Sequence, residues 1–370
     1  MRYRCRRCGR SQPGDFSLWR CPCGGPLWWD AEPRLHRTEI VEAESSMWRY
    51  GPALPIGLAQ RRITLGEVVT PLLAVEWGGR RVWFKDETRH PTGSFKDRGV
   101  AMVVNHALAH RVKRLVEDSS GNAAAAFAAY CAAAGIGCEV HVPATTSTAK
   151  LAQVIAHGAR VHQVAGPREA AALAAQSNSA GRYAGHNWHP LFVEGIATIG
   201  YELWEQAGYV VPDQVIVPVG NGSLVLGLLR SFTALLASGE AHRLPRIIGV
   251  QSQATDAIHR RFHGLPGSPA AARTIAEGIA IRATTHEDEV VAALHQTNGD
   301  CYVVPDAEVV TALRGALAMG LFIEPTSAVA LAGLTRLLAE QPAYAAGRTV
   351  VVLTGSGLKV ADAVAKLATN

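Results

Sequence analysis

Two groups of residues in this chain have the types and spacing to do chemistry. The first is a set of four cysteines. Cys5-x2-Cys8 and Cys21-x-Cys23 make two paired knuckles separated by twelve residues. Four thiolates presented in this way suit a tetrahedral Zn²⁺, and Gly9, Gly24 and Gly25 supply the tight turns the knuckles need. Four protein ligands leave no open position for water, so such an ion would be structural. The alternative is a ribbon that packs on the body of the chain without metal. The second group is the lysines, which are scarce. Only six of the 36 basic residues are Lys, at positions 85, 96, 113, 150, 359 and 366. Lys96 follows an apolar run and a turn containing Pro91 and Gly93, with Thr92 and Ser94 available as helix caps, so it falls at a helix start. An amine there feels the positive end of the helix dipole, which lowers its proton affinity and favours a Schiff-base nucleophile. A surface lysine in a salt bridge is the commoner fate, and composition alone does not separate the two.

The neighbouring residues do. Pro91-Thr92-Gly93-Ser94-Phe95-Lys96-Asp97-Arg98-Gly99 closely resembles the pyridoxal-phosphate lysine motif of threonine synthases, within the fold-type-II (tryptophan-synthase-β-like) family. The resemblance implies that Lys96 binds pyridoxal 5′-phosphate covalently and then moves protons at the substrate α and β carbons. Further motifs follow in the family's order. Ser119-Ser120-Gly121-Asn122-Ala123 opens an Ala-rich helix, and a helix start holds a carboxylate well. By resemblance Ser119, Ser120, Gly121 and Ala123 grip the α-carboxylate of the substrate, and Asn122 hydrogen-bonds the cofactor's 3′-oxygen. Gly220-Asn221-Gly222-Ser223 is a glycine turn between a strand and a helix, the usual way to point backbone amides at a phosphate. It resembles the family's cofactor-phosphate loop. Thr354, at the closing Thr354-Gly355-Ser356-Gly357 turn, resembles the hydroxyl that meets the pyridine nitrogen. A hydroxyl there leaves that nitrogen largely unprotonated, which suits elimination and replacement over transamination.

The likeness spans residues 66–360 and departs from the family on the substrate side. In the run 186–195, Phe192 stands where threonine synthases carry an Arg for the phosphate of O-phosphohomoserine, and Phe cannot neutralise a phosphate. Lys150, His186, His189 or Arg282 are the candidate substitutes. Ala276-Glu277-Gly278 reads more like threonine/serine dehydratases. The expected function is a pyridoxal-phosphate-dependent lyase acting on a small amino acid, threonine synthase-like (O-phosphohomoserine and water to threonine and phosphate). The alternatives are a threonine/serine ammonia-lyase, a β-replacement enzyme, or a zinc-ribbon binding protein on an idle enzyme body.

Positioning these residues requires strand-to-helix turns. Apolar runs at 81–85, 114–117, 138–142, 160–164, 214–217, 246–250, 301–304 and 348–353 read as strands. Helical windows lie near 95–110, 122–134, 148–157, 168–178, 194–207, 223–237, 307–319 and 326–340. This alternation predicts an α/β fold of two open, mostly parallel sheets flanked by helices, plus a small N-terminal ribbon. In such sheets ligands gather beyond the carboxyl ends of strands. The expected division is a ribbon at 1–30 and a wrapping segment at 31–65. A large cofactor-binding domain at 66–97 and 186–370 and a small mobile domain at 98–185 complete it.

Charge narrows the function classes. The net +5 lies wholly in residues 1–37, where eight Arg face three acids; the other 333 residues carry 28 of each sign. A neutral body lacks the cation surplus that phosphate backbones or anionic membranes demand, so no nucleic-acid or membrane partner is expected. The uncharged stretch 119–138 is mostly Ala with three Gly, too weakly apolar for a membrane span, and reads as a buried helix. Seven cysteines, no secretory apolar segment after Met1 and an odd thiol count point to a cytoplasmic enzyme without disulfides. No Lys is followed by Ser or Thr, so no Walker A motif exists. A homodimer is expected from the resemblance alone.

Overall fold

The structure is a computed structural model describing residues 1–267, 273–282, 284–341 and 347–369. Contacts divide the chain into two compact units. One comprises Met1–Arg34, Glu39–Val68 and Lys96–Ile196; the other comprises Leu35–Thr38, Val69–Phe95 and Ala197–Asn370. The ribbon and most of the wrapping segment thus belong to the first unit, and the chain passes between units at Phe95–Lys96 and Ile196–Ala197.

The second unit is built on a six-stranded sheet. Its order is Asp300–Val304, Arg246–Ser252, Gln214–Pro218, Thr349–Leu353, Arg80–Asp86, Leu72–Trp77. All neighbours are parallel except the last pair. The central strands QVIVP and TVVVL are buried at every position, as strands covered on both faces must be. Helix Pro325–Glu340 lays its apolar residues, Ala328 to Leu334 among them, against Ile216, Val250 and Val351 of this sheet. Polar groups enter this core only with partners. Lys85, fully buried, donates to Glu202 Oε2 at 2.5 Å, Gln206 Oε1 at 2.8 Å and the Thr70 carbonyl at 2.8 Å.

The first unit holds a four-stranded parallel sheet, ordered Arg160–Val164, Gly137–Pro143, Arg114–Glu117, Arg182–Tyr183. The Ala-rich stretch forms helix Asn122–Ala134, buried from Ala123 to Cys131 and ended by Gly135 in the left-handed region at φ +64°. Among the described residues no helix is long and apolar enough to cross a membrane. Helix Lys96–Ala109 packs on it, and both Gly99 and Gly195 permit close approach: a Cβ at Gly195 would lie 2.2 Å from the Arg98 carbonyl oxygen. The ribbon is a three-stranded antiparallel sheet, Ser11–Pro13, Arg2–Cys5, Leu27–Trp29. It docks through Phe16, stacked on His106 at 4.8 Å, and through Trp19, edge-on to Tyr183 and Trp188.

All eight strands read from the sequence are present, with ends shifted by a residue or two. The strands Leu72–Trp77 and Arg182–Tyr183, and helices Ala257–Phe262, Glu287–Gln296 and Ala361–Thr369, lie outside the sequence pattern. Removing Lys85 leaves the Glu202 carboxylate buried without its cation. Lys85→Ala is therefore expected to lose about 3–5 kcal/mol of stability, and adding Glu202→Gln should recover part of it. Calorimetric unfolding of both variants measures this.

Candidate active site

The parallel order of the second unit explains how motifs far apart in sequence meet. Gln214–Pro218, Thr349–Leu353 and Arg80–Asp86 are consecutive strands pointing the same way, so their carboxyl ends share one edge. The first end carries the Gly220 turn, the second the Thr354 turn and the third the turn leading to Lys96.

The last two are stapled together. Phe95 N–H donates to the Thr354 carbonyl at 3.0 Å, and Ser356 N–H donates to the Gly93 carbonyl at 2.9 Å. Ser94 and Gly355 form an antiparallel bridge. Lys359 Nζ donates to the Thr92 carbonyl at 2.6 Å. Helix Lys96–Ala109 begins at the next residue, so Lys96 does start a helix. The Ser94 hydroxyl does not cap that helix: its backbone is committed to Gly355, and the buried Oγ has no partner among the described residues. The Thr354 hydroxyl is buried and in contact with Ser327 Oγ at 3.0 Å and Glu324 Oε1 at 3.3 Å.

Gly222 starts helix Ser223–Ala237 at φ +83°, and no side chain caps the helix. A Cβ there would lie 2.1 Å from Val290 Cγ2, and one at Gly220 would lie 3.1 Å from Ile279 Cα. The turn is thus a glycine cradle before uncapped amides, which fits a phosphate group.

In the first unit, Ser119–Gly121 follows the carboxyl end of strand Arg114–Glu117. Gly121 N–H donates to Ser119 Oγ at 3.2 Å, and helix Asn122–Ala134 again starts without a side-chain cap. A Cβ at Gly121 would meet nothing within 4 Å, so the turn is open on that side. Lys96 Nζ lies 5.3 Å from the centre of the Phe192 ring. Phe192 itself is fully buried, and a Cβ on Gly99 would lie 2.5 Å from its ring. It is a packing residue for the start of the Lys96 helix.

Beyond Phe192, 5.6 Å between ring centres, lies His186. His186 Nδ1 is 2.6 Å from Glu117 Oε1, and its backbone N–H donates to Glu117 Oε2 at 3.1 Å. Burial pushes Glu117 up to about 8, against the opposing pull of the His186 amide and the charges of Lys96 and Arg168. Burial also drives His186 and His189 well below the usual imidazole range. Both are neutral near pH 7, so neither supplies the cation missing at Phe192.

The four N-terminal cysteines converge. Cys5 and Cys23 sulfurs are 3.5 Å apart, Cys8 and Cys21 sulfurs 3.7 Å, and all four fall within 4.8 Å of one another. Zn–S bonds of about 2.3 Å give tetrahedral S···S edges of about 3.8 Å, so the set fits a zinc ion. Gly25 has no room for a side chain, since its Cβ would lie 2.8 Å from Cys5 Sγ.

Comparison with known proteins agrees with this geometry. Residues 63–355 match the family described as pyridoxal-phosphate dependent enzyme. Threonine synthase of Methanocaldococcus jannaschii is 32% identical over 98% of this chain and 94% of its own length. Threonine synthase of Mycobacterium tuberculosis is 34% identical over 86% and 89%. Among solved structures, a threonine deaminase from T.th. has a TM-score of 0.67 at 26% identity, covering 78% of this chain and 92% of that one. A fungal L-serine ammonia-lyase from Rhizomucor miehei shares the fold, with a TM-score of 0.70 at 24% identity over 81% and 98%. The chain belongs to the pyridoxal-phosphate-dependent enzymes. Its activity class is that of a threonine synthase-like lyase of amino-acid metabolism.

Gly222 offers a direct check on the cradle. Gly222→Ala places a Cβ against Val290 and forces an L-residue to positive φ, at a cost of about 1–2 kcal/mol for the backbone alone. Thermal unfolding should show that Val290→Ala in the same chain relieves the steric part and leaves the backbone part.

Proposed function

We propose that this enzyme converts O-phosphohomoserine and water to threonine and phosphate. The observation that carries this reading is the end-to-end likeness to threonine synthases, 98% of this chain against 94% of one relative. The cofactor, when bound, supplies the electron sink for the bond broken at the substrate α-carbon. Lys96 would hold it covalently, and its amine would remove the substrate α-proton and return protons at the neighbouring carbons. A start at the head of a helix favours the unprotonated amine these steps need. The Gly220, Asn221, Gly222 and Ser223 amides are assigned to the cofactor phosphate, Asn122 to its ring oxygen and Thr354 to its ring nitrogen. The hydroxyl of Thr354, already bonded to Ser327 and Glu324, is held in one orientation by a buried network. The amides opening helix Asn122–Ala134, from Ser119, Ser120, Gly121 to Ala123, are assigned to the substrate α-carboxylate. Cys5, Cys8, Cys21 and Cys23 are assigned to a structural Zn²⁺. An active homodimer is part of this proposal.

The test incubates the holoenzyme with O-phosphohomoserine, threonine and serine and assays phosphate and 2-oxo acid. Phosphate release with threonine formation is the expected result; oxo acid from threonine or serine with no phosphate release overturns it in favour of an ammonia-lyase. For the ribbon, one equivalent of zinc per chain is expected by elemental analysis. Cys8→Ser and Cys21→Ser should each lose most of it, because a tetrahedral thiolate site missing one ligand binds far more weakly.

A further inference from the structure

Glu117 and His186 have no role in the assignments made above, yet His186 packs on Phe192, the ring that also contacts Lys96. Glu117 ends the strand Arg114–Glu117 and is fully buried; His186 follows the neighbouring strand Arg182–Tyr183 and is 5% exposed. Both carboxylate oxygens are engaged by the same residue, one by the ring at 2.6 Å and one by the backbone N–H at 3.1 Å. The backbone N–H must donate, so Oε2 accepts. At Oε1 the two groups need one proton between them.

A buried carboxylate would place one charge in a core that also contains Phe192 if it accepts from a neutral ring N–H, and two if the ring is an imidazolium. The neutral alternative, a carboxylic acid donating to an unprotonated Nδ1, satisfies both groups without either charge. Phe192 also contacts Lys96, whose Nζ lies 5.3 Å from the ring centre.

We propose that Glu117 and His186 form a proton-sharing pair whose charge state sets the proton affinity of Lys96. They are positioning residues that act through the amine and touch neither substrate nor cofactor. The proposal rests on the reading of Lys96 as the reactive amine.

The groups facing the pair come from four directions. Asp118 follows Glu117 directly and is itself pushed up by burial and by its neighbour, with Tyr183 Oη donating to it at 3.2 Å. Lys96, at the head of helix Lys96–Ala109, and Arg168, on helix Arg168–Gln176, both draw Glu117 down. The Cys131 thiol of helix Asn122–Ala134 is pushed well up by Cys138 and by burial, so it stays neutral.

The direction follows. Near pH 7 the pair is neutral and adds no anion to the field at Lys96, so the amine gives up its proton more readily than it would beside a charged pair. As pH rises through about 8 Glu117 ionises. The carboxylate then attracts the proton on Lys96 through the same coulombic coupling, opposing the gain in free amine that alkali normally gives. Stability shifts in the same window. Glu117 binds its proton more tightly folded than unfolded, so its contribution is complete below the ordinary carboxyl range and is lost as pH rises to about 8.

Two measurements on the full chain test this. Infrared spectroscopy in D₂O should show a protonated-carboxyl stretch at neutral pH that fades as pH passes about 8 and is missing from Glu117→Gln. The second is the rate of covalent adduct formation between cofactor-free protein and pyridoxal 5′-phosphate, followed by absorbance. The ratio of rates, Glu117→Gln over wild type, should rise several-fold between about pH 7 and pH 9. His186→Asn, which keeps a hydrogen-bonding side chain, should move the midpoint of the infrared change. A purely structural role would change the rate by the same factor at every pH, so a flat ratio overturns the proposal, as does the absence of the acid band. Failure of any adduct to form at Lys96 overturns the underlying reading, and the proposal with it. A wild-type acid band that persists in that case marks the lysine assignment, and not the pair, as the error.

Discussion

The cofactor-binding arrangement proposed around Lys96 and Thr354 rests on a staple of backbone hydrogen bonds between two strand ends. Phe95 N–H to Thr354 O, Ser356 N–H to Gly93 O and the Ser94–Gly355 bridge tie the turn before Lys96 to the turn after strand Thr349–Leu353. The parallel sheet makes this possible, because neighbouring parallel strands end on the same edge. Residues separated by some 260 positions in sequence thereby meet as adjacent turns. The staple stops at Phe95, and the helix that carries the amine starts at Lys96. Phe95, the residue before Lys96, is thus placed by main-chain geometry that tolerates many side-chain changes. Glu324, Ser327 and Thr354 complete the arrangement, holding the one hydroxyl assigned to the cofactor ring in a buried, oriented state.

Within the first unit, the Lys96 helix is held by the segments packed on it. Gly99 admits the Phe192 ring, Asn105 accepts the backbone N–H groups of Arg62 and Ile63 at 2.7 and 3.0 Å, and His106 contacts the Gly14 carbonyl at 3.2 Å. The helix that begins with the amine is therefore the platform for the wrapping segment and for the cysteine ribbon. Packing of the ribbon and packing of that helix are thus coupled.

Much of this was legible in the sequence, for physical reasons. Strands covered on both faces are unbroken β-branched runs such as VIV and VVV, and strand-to-helix turns need Gly, Ser and Asn, so both announce themselves. Strand Leu72–Trp77 did not, because it is an edge strand whose short apolar run, Leu72 to Val75, is broken by Glu76 and whose positions are all half-exposed or exposed. Arg182–Tyr183 is two residues long and exists only through its pairing with Leu115 and Val116. The pair Glu117 and His186 is separated by 69 positions, and nothing local marks a Glu at a strand end as buried. Phe192 read from sequence as a lost cation; the structure shows a ring filling the space above Gly99, and two histidines nearby that burial keeps neutral. Side chains whose roles come from tertiary neighbours are the ones pattern alone does not reach.

The central claim is that Lys96 is the residue that takes the cofactor. Borohydride reduction of the holoenzyme followed by peptide mass mapping tests it most directly, since reduction fixes the cofactor to whichever lysine holds it. The account predicts a pyridoxyl-phosphate mass increment confined to the peptide containing Lys96, with loss of both the increment and the visible absorbance band in Lys96→Ala. An increment on any of the other five lysines, or a band retained in Lys96→Ala, would contradict it.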